Sequence, residues 1–207
     1  MEKNVIWTKN LITSTFACTA LMVMSTSRTA FALVTIGALV WVYMLSALVC
    51  FFARPILPEK VQKYVHIFLA AFFSCLYQFF LFLLNPILAM ETSLFVFLTP
   101  VGLISSAVLR DARKYTDQNA FFLPLWECLA LSMMILGIAL IREPLGYGSL
   151  SVPGSVYGIV EIISSEDGPY FPVQFAAQAS GALLILGFAY AIYRSVQNQK
   201  SQEEDAQ

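Results

Sequence analysis

Charged residues are scarce in this chain. Only 12% of its 207 residues are Asp, Glu, Lys or Arg, whereas 58% are hydrophobic and the mean hydropathy is +0.73. A soluble domain of this length needs more charge than this to solvate its surface. The net charge is −1 and no basic arm is present, which argues against nucleic acid as a partner.

Motifs for nucleotide chemistry and for common soluble enzymes are missing as well. The chain has one histidine, and it contains no Walker loop, no dinucleotide fingerprint and no Ser/His/Asp spacing that stands out. All four cysteines, Cys18, Cys50, Cys75 and Cys128, fall inside apolar segments. A disulfide framework would place cysteines in extracellular loops, so this placement argues against one.

What the chain has instead is a series of long apolar runs. A membrane-spanning helix needs about 20 apolar residues at a rise of about 1.5 Å each. Six runs reach or approach that length: 10–27, 31–53, 64–84, 93–109, 121–141 and 172–194. We therefore predict an all-α polytopic membrane protein with six transmembrane helices, which form a single membrane domain over residues 1–207.

The positions of lysine and arginine predict how the chain is oriented. If the N-terminus is cytoplasmic, every basic residue except Arg28 and Arg142 lies on the cytoplasmic side. Because cytoplasmic loops carry an excess of these residues, we predict that both termini are cytoplasmic. The tail, residues 195–207, is polar, and we predict that it is disordered.

Six spans with both termini on one side divide into two halves of three helices, about 10–84 and about 93–194. An odd number of spans in each half gives the halves opposite orientations, as in an inverted repeat whose functional centre lies near the membrane middle. The first and fourth predicted helices are short or broken and rich in small residues. By count, Cys18 and Gly102 lie at corresponding depths in these two helices.

The region after the fifth predicted helix contains turn signals. Arg142 and Glu143, followed by Pro144 and Gly146, are predicted to end that helix at the outer face. A structural turn is the favoured role for this pair over an ion gate. Within the Gly-, Pro- and Ser-rich stretch that follows, residues 156–163 are predicted to form a short interfacial helix.

Cys18 is the leading candidate for chemistry. Thiolates hold iron–sulfur clusters, so Cys18 is a candidate metal ligand. From the residues alone a buried packing role is favoured, because one cysteine cannot hold a cluster. Cys75 is the other cysteine that could join it, whereas Cys50 and Cys128 are interpreted as packing residues. Glu127 is a carboxylate within an apolar segment, and such residues are candidates for a proton or sodium role.

Three stretches of the sequence carry a family resemblance: residues 18–30 (Cys-Thr-Ala-Leu-Met-Val-Met-Ser-Thr-Ser-Arg-Thr-Ala), the basic loop 54–63, and residues 142–150 (Arg-Glu-x-x-Gly-x-Gly-Ser-Leu). They resemble the six-helix membrane subunits shared by the Rnf and Nqr complexes, of the Rnf E / Nqr D type. The resemblance covers nearly the whole chain. The second cysteine motif of that family falls on residues 100–108, where Gly102 stands in place of the cysteine.

The resemblance implies a [2Fe–2S] cluster shared with a sister six-helix subunit of opposite orientation in the bacterial inner membrane. Each subunit of such a pair gives two cysteines, and Cys18 takes the place of the first ligand. Gly102 takes the place of the second, where the ligand is lost. Such complexes pass electrons between NADH and ferredoxin or quinone and pump sodium or protons.

Gly102 leaves three outcomes open for the cluster: three cysteines with another ligand, substitution by Cys75, or a scaffold that has lost the metal. The leading function is therefore a subunit that helps to form the iron–sulfur site of an ion-translocating complex. The alternatives are a non-redox scaffold subunit of such a complex, or a small solute-binding membrane component or transporter. The last lacks support, because no convergent set of polar residues is evident at mid-membrane.

Overall fold

The computed structural model describes residues 18–53, 59–105, 119–154, 158–163 and 173–205. The helices and strands within these ranges are α1 (Thr19–Ser25), α2 (Thr29–Ala53), α3 (Glu59–Leu84), α4 (Pro86–Ser105), α5 (Asn119–Tyr147), β1 (Leu150–Pro153), β2 (Ile159–Ile163), α6 (Gln174–Ala177) and α7 (Ala179–Asp205). Among the described residues, four helical stretches are long and apolar enough to cross a membrane: Thr29–Val49, Tyr64–Leu84, Pro86–Ile104 and Cys128–Tyr147. The structure is thus mostly helical, as expected for a multi-pass membrane protein.

Helix α2 lies at the centre of the described helices, where it packs against α3, α4, α5 and β1. Its buried side chains recur at helical spacing and include Leu39, Val42 and Tyr43. Helix α3 is peripheral by comparison. Only 11% of its most apolar stretch is buried inside the protein, against 44% for each of the other three spans. The apolar stretch of α3 is therefore the least covered by protein among these four helices.

Side-chain hydrogen bonds tie α3 to its neighbours. The hydroxyl of Tyr77 donates to the carbonyl of Val34 in α2 at 3.1 Å, and the hydroxyl of Ser74 donates to the carbonyl of Val96 in α4 at 2.7 Å. A β-carbon at Gly37 would lie 2.7 Å from the Tyr77 hydroxyl oxygen, so the glycine makes room for the ring. Because lipid competes for apolar contacts, small residues and interhelical hydrogen bonds set such packing.

Helices α3 and α4 form a helical hairpin with only Asn85 between them. The Asn85 side-chain oxygen accepts the N–H of Leu88 at 3.1 Å, and its amide donates to the carbonyl of Gly154. The fourth predicted helix was expected to begin at residue 93, whereas α4 begins at Pro86. The physical reason is that Asn before a helix and Pro at its first position are both start signals.

The stretch after α5 contains a β-hairpin instead of the interfacial helix predicted over residues 156–163. Strands β1 and β2 pair antiparallel, with Ser151 opposite Glu161 and Val152 opposite Val160. The second strand reads Ile-Val-Glu-Ile-Ile, and β-branched residues of this kind favour strands. The correction therefore follows from local sequence as well as from pairing.

The polar tail also differs from its prediction. Helix α7 continues to Asp205, so residues 195–205 are helical instead of disordered. Gln, Lys and Glu, which dominate this stretch, have high helix propensity and extend the helix beyond its apolar part. At the other end of the chain, the first predicted helix is described only from Cys18 onward.

Candidate functional site

Cys18 and Gly102, the two positions placed at corresponding depths by the sequence, are in contact. Cys18 immediately precedes α1 and is only 1% exposed. Its thiol donates a hydrogen bond to the carbonyl oxygen of Gly102 in α4, with the sulfur 3.1 Å from the oxygen. A β-carbon at position 102 would lie 3.5 Å from this sulfur and 3.2 Å from Leu21 Cδ2. The Cys18 thiol therefore lies next to the position that a side chain at residue 102 would occupy.

Helix α4 is interrupted in its hydrogen bonding just before Gly102. Pro100 lies inside the helix and has no N–H to donate to the carbonyl of Val96. The hydroxyls of Ser74 and Thr99 donate to that carbonyl instead, each at 2.7 Å. The helix is thereby kept continuous past the proline, and Gly102 is held beside Cys18.

Three observations bear on whether these residues fit a [2Fe–2S] cluster shared with a partner subunit. A cluster ligand is a thiolate, whereas the Cys18 sulfur lies within hydrogen-bonding distance of a carbonyl oxygen, as a thiol does. At Gly102 the second position offers only a backbone carbonyl oxygen. In the part of the chain that the structure describes, no group of three or more His, Cys, Asp or Glu side chains is placed to hold a metal ion. Of the two positions indicated by the family motifs, only Cys18 therefore carries a side chain that can bind iron.

The other candidate residues lie at different places in the fold. Cys75, suggested as a substitute ligand, is exposed on α3. Cys128 of α5, in contrast, belongs to the same buried core as Cys18. Glu127 precedes it in α5, and its side chain falls outside the described part of the chain.

Arg142 is buried in α5 and makes five hydrogen bonds through its guanidinium group. Nη1 donates to the carbonyl of Val23 at 2.8 Å and the hydroxyl of Thr26 at 3.0 Å, Nε to the carbonyl of Ala176 at 2.8 Å, and Nη2 to the carbonyls of Ala177 at 2.8 Å and Gln178 at 2.9 Å. The acceptors lie at the carboxyl ends of α1 and α6. Carbonyls there lack partners within the helix, and a positive charge near them is stabilised.

Glu143, the next residue of α5, binds the start of α2, on the other side of the break between α1 and α2. Its carboxylate is fully buried, and Oε2 accepts the N–H of Thr29, the first residue of α2, at 2.6 Å. A negative charge at a helix N-terminus is favourable for the same reason that a positive one is at a C-terminus. Within the described ranges, the second carboxylate oxygen, Oε1, is buried without a hydrogen-bond partner, as is the hydroxyl of Ser25.

The structure corrects the predicted role of Arg142 and Glu143 as residues that end a helix. Helix α5 continues past them to Tyr147 and ends at Gly148, which has φ +68° and donates its N–H to the carbonyl of Pro144 at 3.0 Å. That arrangement is a left-handed C-terminal cap, for which glycine is suited. The Arg-Glu pair instead binds the ends of other helices, and the Val23 acceptor lies 119 residues away in sequence.

Strand β1 is a part of the site that the sequence did not indicate. The hydroxyl of Thr29 donates to the carbonyl of Ser151, and the Ser151 hydroxyl oxygen accepts the N–H of Ala30 at 3.4 Å. Nearby, Arg28 forms an ion pair with Glu161 at 3.6 Å and lies over the ring of Tyr147. The β-hairpin thus covers the start of α2 where Glu143 binds it.

Together these features define a multi-pass membrane protein in which the ends of two short helices and the start of α2 meet at two consecutive buried residues of opposite charge. The sequence matches the family described as Rnf-Nqr subunit, membrane protein, over residues 1–190. The chain therefore belongs to the Rnf-Nqr family of membrane subunits, which confirms the resemblance drawn from its motifs. Among curated proteins, no match is found. Membership suggests that the chain is part of an ion-translocating complex of several subunits.

Proposed function

We propose that this chain is an integral membrane subunit of an Rnf-Nqr-type ion-translocating electron transport complex, and that it holds a sister subunit in place without carrying an iron–sulfur cluster itself. Family membership supports the first part of the proposal. The second part rests on one observation, the hydrogen bond from the Cys18 thiol to the Gly102 carbonyl. In this role the thiol satisfies a carbonyl within the core and fills space beside a glycine.

A redox subunit is the second candidate. In that case Cys18 would contribute a ligand to a [2Fe–2S] cluster shared with the sister subunit, which would pass electrons between NADH and ferredoxin or quinone. The observation that favours this candidate is the presence of Cys128 in the same buried core, since it supplies a second thiol. Binding a metal would require both thiols to lose their protons and to reach the partner.

The architecture and orientation belong to the same proposal. The contact between Cys18 and Gly102 supports two inverted repeats, about 10–84 and about 93–194, whose corresponding positions meet. The distribution of Lys and Arg supports a multi-pass subunit of the bacterial inner membrane with both termini cytoplasmic and a sister subunit of opposite orientation. Protease accessibility of terminal tags in inside-out and right-side-out vesicles tests this orientation.

Iron and labile-sulfide analysis of the purified complex separates the two candidate functions. We expect the complex carrying Cys18→Ala to contain as much iron and sulfide as the wild type and to transfer electrons at the same rate. Cys75→Ala, at an exposed cysteine, is the matched control. A loss of about two iron atoms per complex in Cys18→Ala alone would overturn the structural role and establish the redox one.

A further inference from the structure

We infer that Arg142 couples two breaks between helices, the one between α1 and α2 and the one between α6 and α7, so that the carboxyl ends of α1 and α6 move together. One guanidinium group binds both ends. Nη1 is bonded to the end of α1, and Nε and Nη2 are bonded to the end of α6. The inference concerns the mechanics of the fold and does not depend on the proposed function.

The geometry of the guanidinium makes this coupling strict. The group is planar and rigid, with its donors in a fixed arrangement, so it cannot follow one helix end while keeping its bonds to the other. A lysine ammonium, in contrast, has three donors on one nitrogen at the end of a flexible chain. Displacing either helix end would therefore leave a buried positive charge with unsatisfied donors, which is strongly unfavourable.

The backbone of α6 packs closely against α5, which the coupling requires. A β-carbon at Gly146, one turn after Arg142, would lie 2.9 Å from the backbone nitrogen of Ala177. The carbonyls at the end of α6 thus lie beside the helix that carries the arginine. Glu143 adds the start of α2 through Thr29. Arg142 and Glu143, consecutive in α5, therefore bind both sides of the break between α1 and α2, and Arg142 also binds the end of α6.

The coupling can be measured by thiol labelling in membranes that contain the assembled complex. Cys18, which is 1% exposed, reports on α1, and Ala176→Cys, at a position that is 8% exposed, reports on α6. Labelling with N-ethylmaleimide is followed at each site by peptide mass spectrometry. The test variant is Arg142→Gln. The matched control is Arg28→Gln, which removes the same charge from a partly exposed ion pair in the break between α1 and α2.

In Arg142→Gln we expect the labelling rates at both reporters to rise by roughly tenfold or more, and by the same factor within about twofold. Arg28→Gln should leave both rates within about twofold of the wild type. Arg142→Lys, which keeps the charge, covers the case in which Arg142→Gln does not assemble, and it should raise both rates together by a smaller factor. In Arg142→Ala, added guanidinium ion at millimolar concentration should restore protection at both sites.

The inference fails if the two reporters respond separately. A rise at Cys18 alone, or at the α6 reporter alone, in either Arg142→Gln or Arg142→Lys would show that the helix ends move independently. Unchanged rates at both sites would show that Arg142 does not hold them. Restoration of only one site by guanidinium would likewise contradict a shared cation. None of these readouts requires electron transfer or ion transport, so a failure of the proposed function would be recognised separately.

Discussion

The thiol of Cys18 donates a hydrogen bond to the carbonyl oxygen of Gly102 across 84 residues of sequence. The family resemblance expects a pair of cysteines at these two positions. In this chain Gly102 stands at the second position, and its carbonyl oxygen accepts the hydrogen bond of the Cys18 thiol. The contact between the two positions is thus kept although one thiol is absent. The packing between these two positions therefore does not require a thiol at residue 102.

Restoring the second thiol tests the proximity of these two positions. In Gly102→Cys the new β-carbon would lie 3.5 Å from the Cys18 sulfur, after a shift of a few tenths of an ångström at Leu21. A sulfur carried by that β-carbon can approach the Cys18 sulfur closely enough for a disulfide, whose S–S bond is about 2.0 Å long. We expect the variant to form the Cys18 disulfide under mild oxidation, as detected by differential alkylation and mass spectrometry.

Gly137→Cys serves as the control for this cross-link. A β-carbon at Gly137 would have no neighbour within 4 Å, so a cysteine there should remain unlinked to Cys18. If both variants formed the disulfide equally, or if Gly102→Cys formed none, the described contact between α4 and the start of α1 would be wrong.

Glu143 should matter more for stability than its single hydrogen bond suggests. Glu143→Gln keeps an acceptor for the Thr29 N–H but removes the negative charge at the N-terminus of α2, at a cost of about 1–2 kcal/mol. Glu143→Ala also leaves that N–H unpaired, and we expect a larger cost of about 2–4 kcal/mol. Thermal unfolding in detergent measures both, since about 1 kcal/mol lowers the midpoint by about 2–4 °C for a chain of this size.

Glu161→Gln is the comparison for the Glu143 variants. Glu161 pairs with Arg28 at a partly exposed position, and such a pair is worth at most about 1 kcal/mol. The expected order of stability is therefore wild type, Glu161→Gln, Glu143→Gln and Glu143→Ala. A Glu143→Ala protein as stable as Glu161→Gln would contradict the buried position of the Glu143 carboxylate.

Asn85 should stabilise two separate parts of the fold. Asn85→Ala removes the cap of α4 and the bond to Gly154 of the β-hairpin region together. Loss of a helix cap costs about 1 kcal/mol, and we also expect faster proteolysis between residues 150 and 163. Ser93→Ala removes an exposed hydroxyl from the same helix and should change neither property. Equal proteolysis of the two variants would argue against the bond between Asn85 and the hairpin.

The sequence predicted those parts of the fold that depend on local composition. Two predicted spans, 31–53 and 64–84, closely match the apolar stretches Thr29–Val49 and Tyr64–Leu84. Cys18 and Gly102, which counting along two predicted helices places at corresponding depths, lie in contact. The start of α4 was missed, although Asn85 and Pro86 are local signals for it.

The role of Arg142 and Glu143 could not be found in this way. Pro144 and Gly146 are ordinary signals for the end of a helix, so the pair was interpreted as part of a turn. Its partners, Val23 and Thr29, lie more than 110 residues away, and only tertiary packing brings them to α5. A buried charge is expected to have hydrogen-bond partners, but the sequence does not indicate which distant backbone groups supply them.

Gly146 and Gly137 should respond in opposite ways to the same substitution, although both lie in α5. In Gly146→Ala the added β-carbon would approach the backbone nitrogen and α-carbon of Ala177 to 2.9 and 3.0 Å, which forces α6 away from α5. Overpacking of this kind costs about 1–3 kcal/mol. Gly137→Ala meets no atom within 4 Å, and its better helix propensity should leave stability unchanged or slightly raised. Thermal unfolding of the two variants in detergent measures the difference, and equal midpoints would show that α6 does not pack against Gly146.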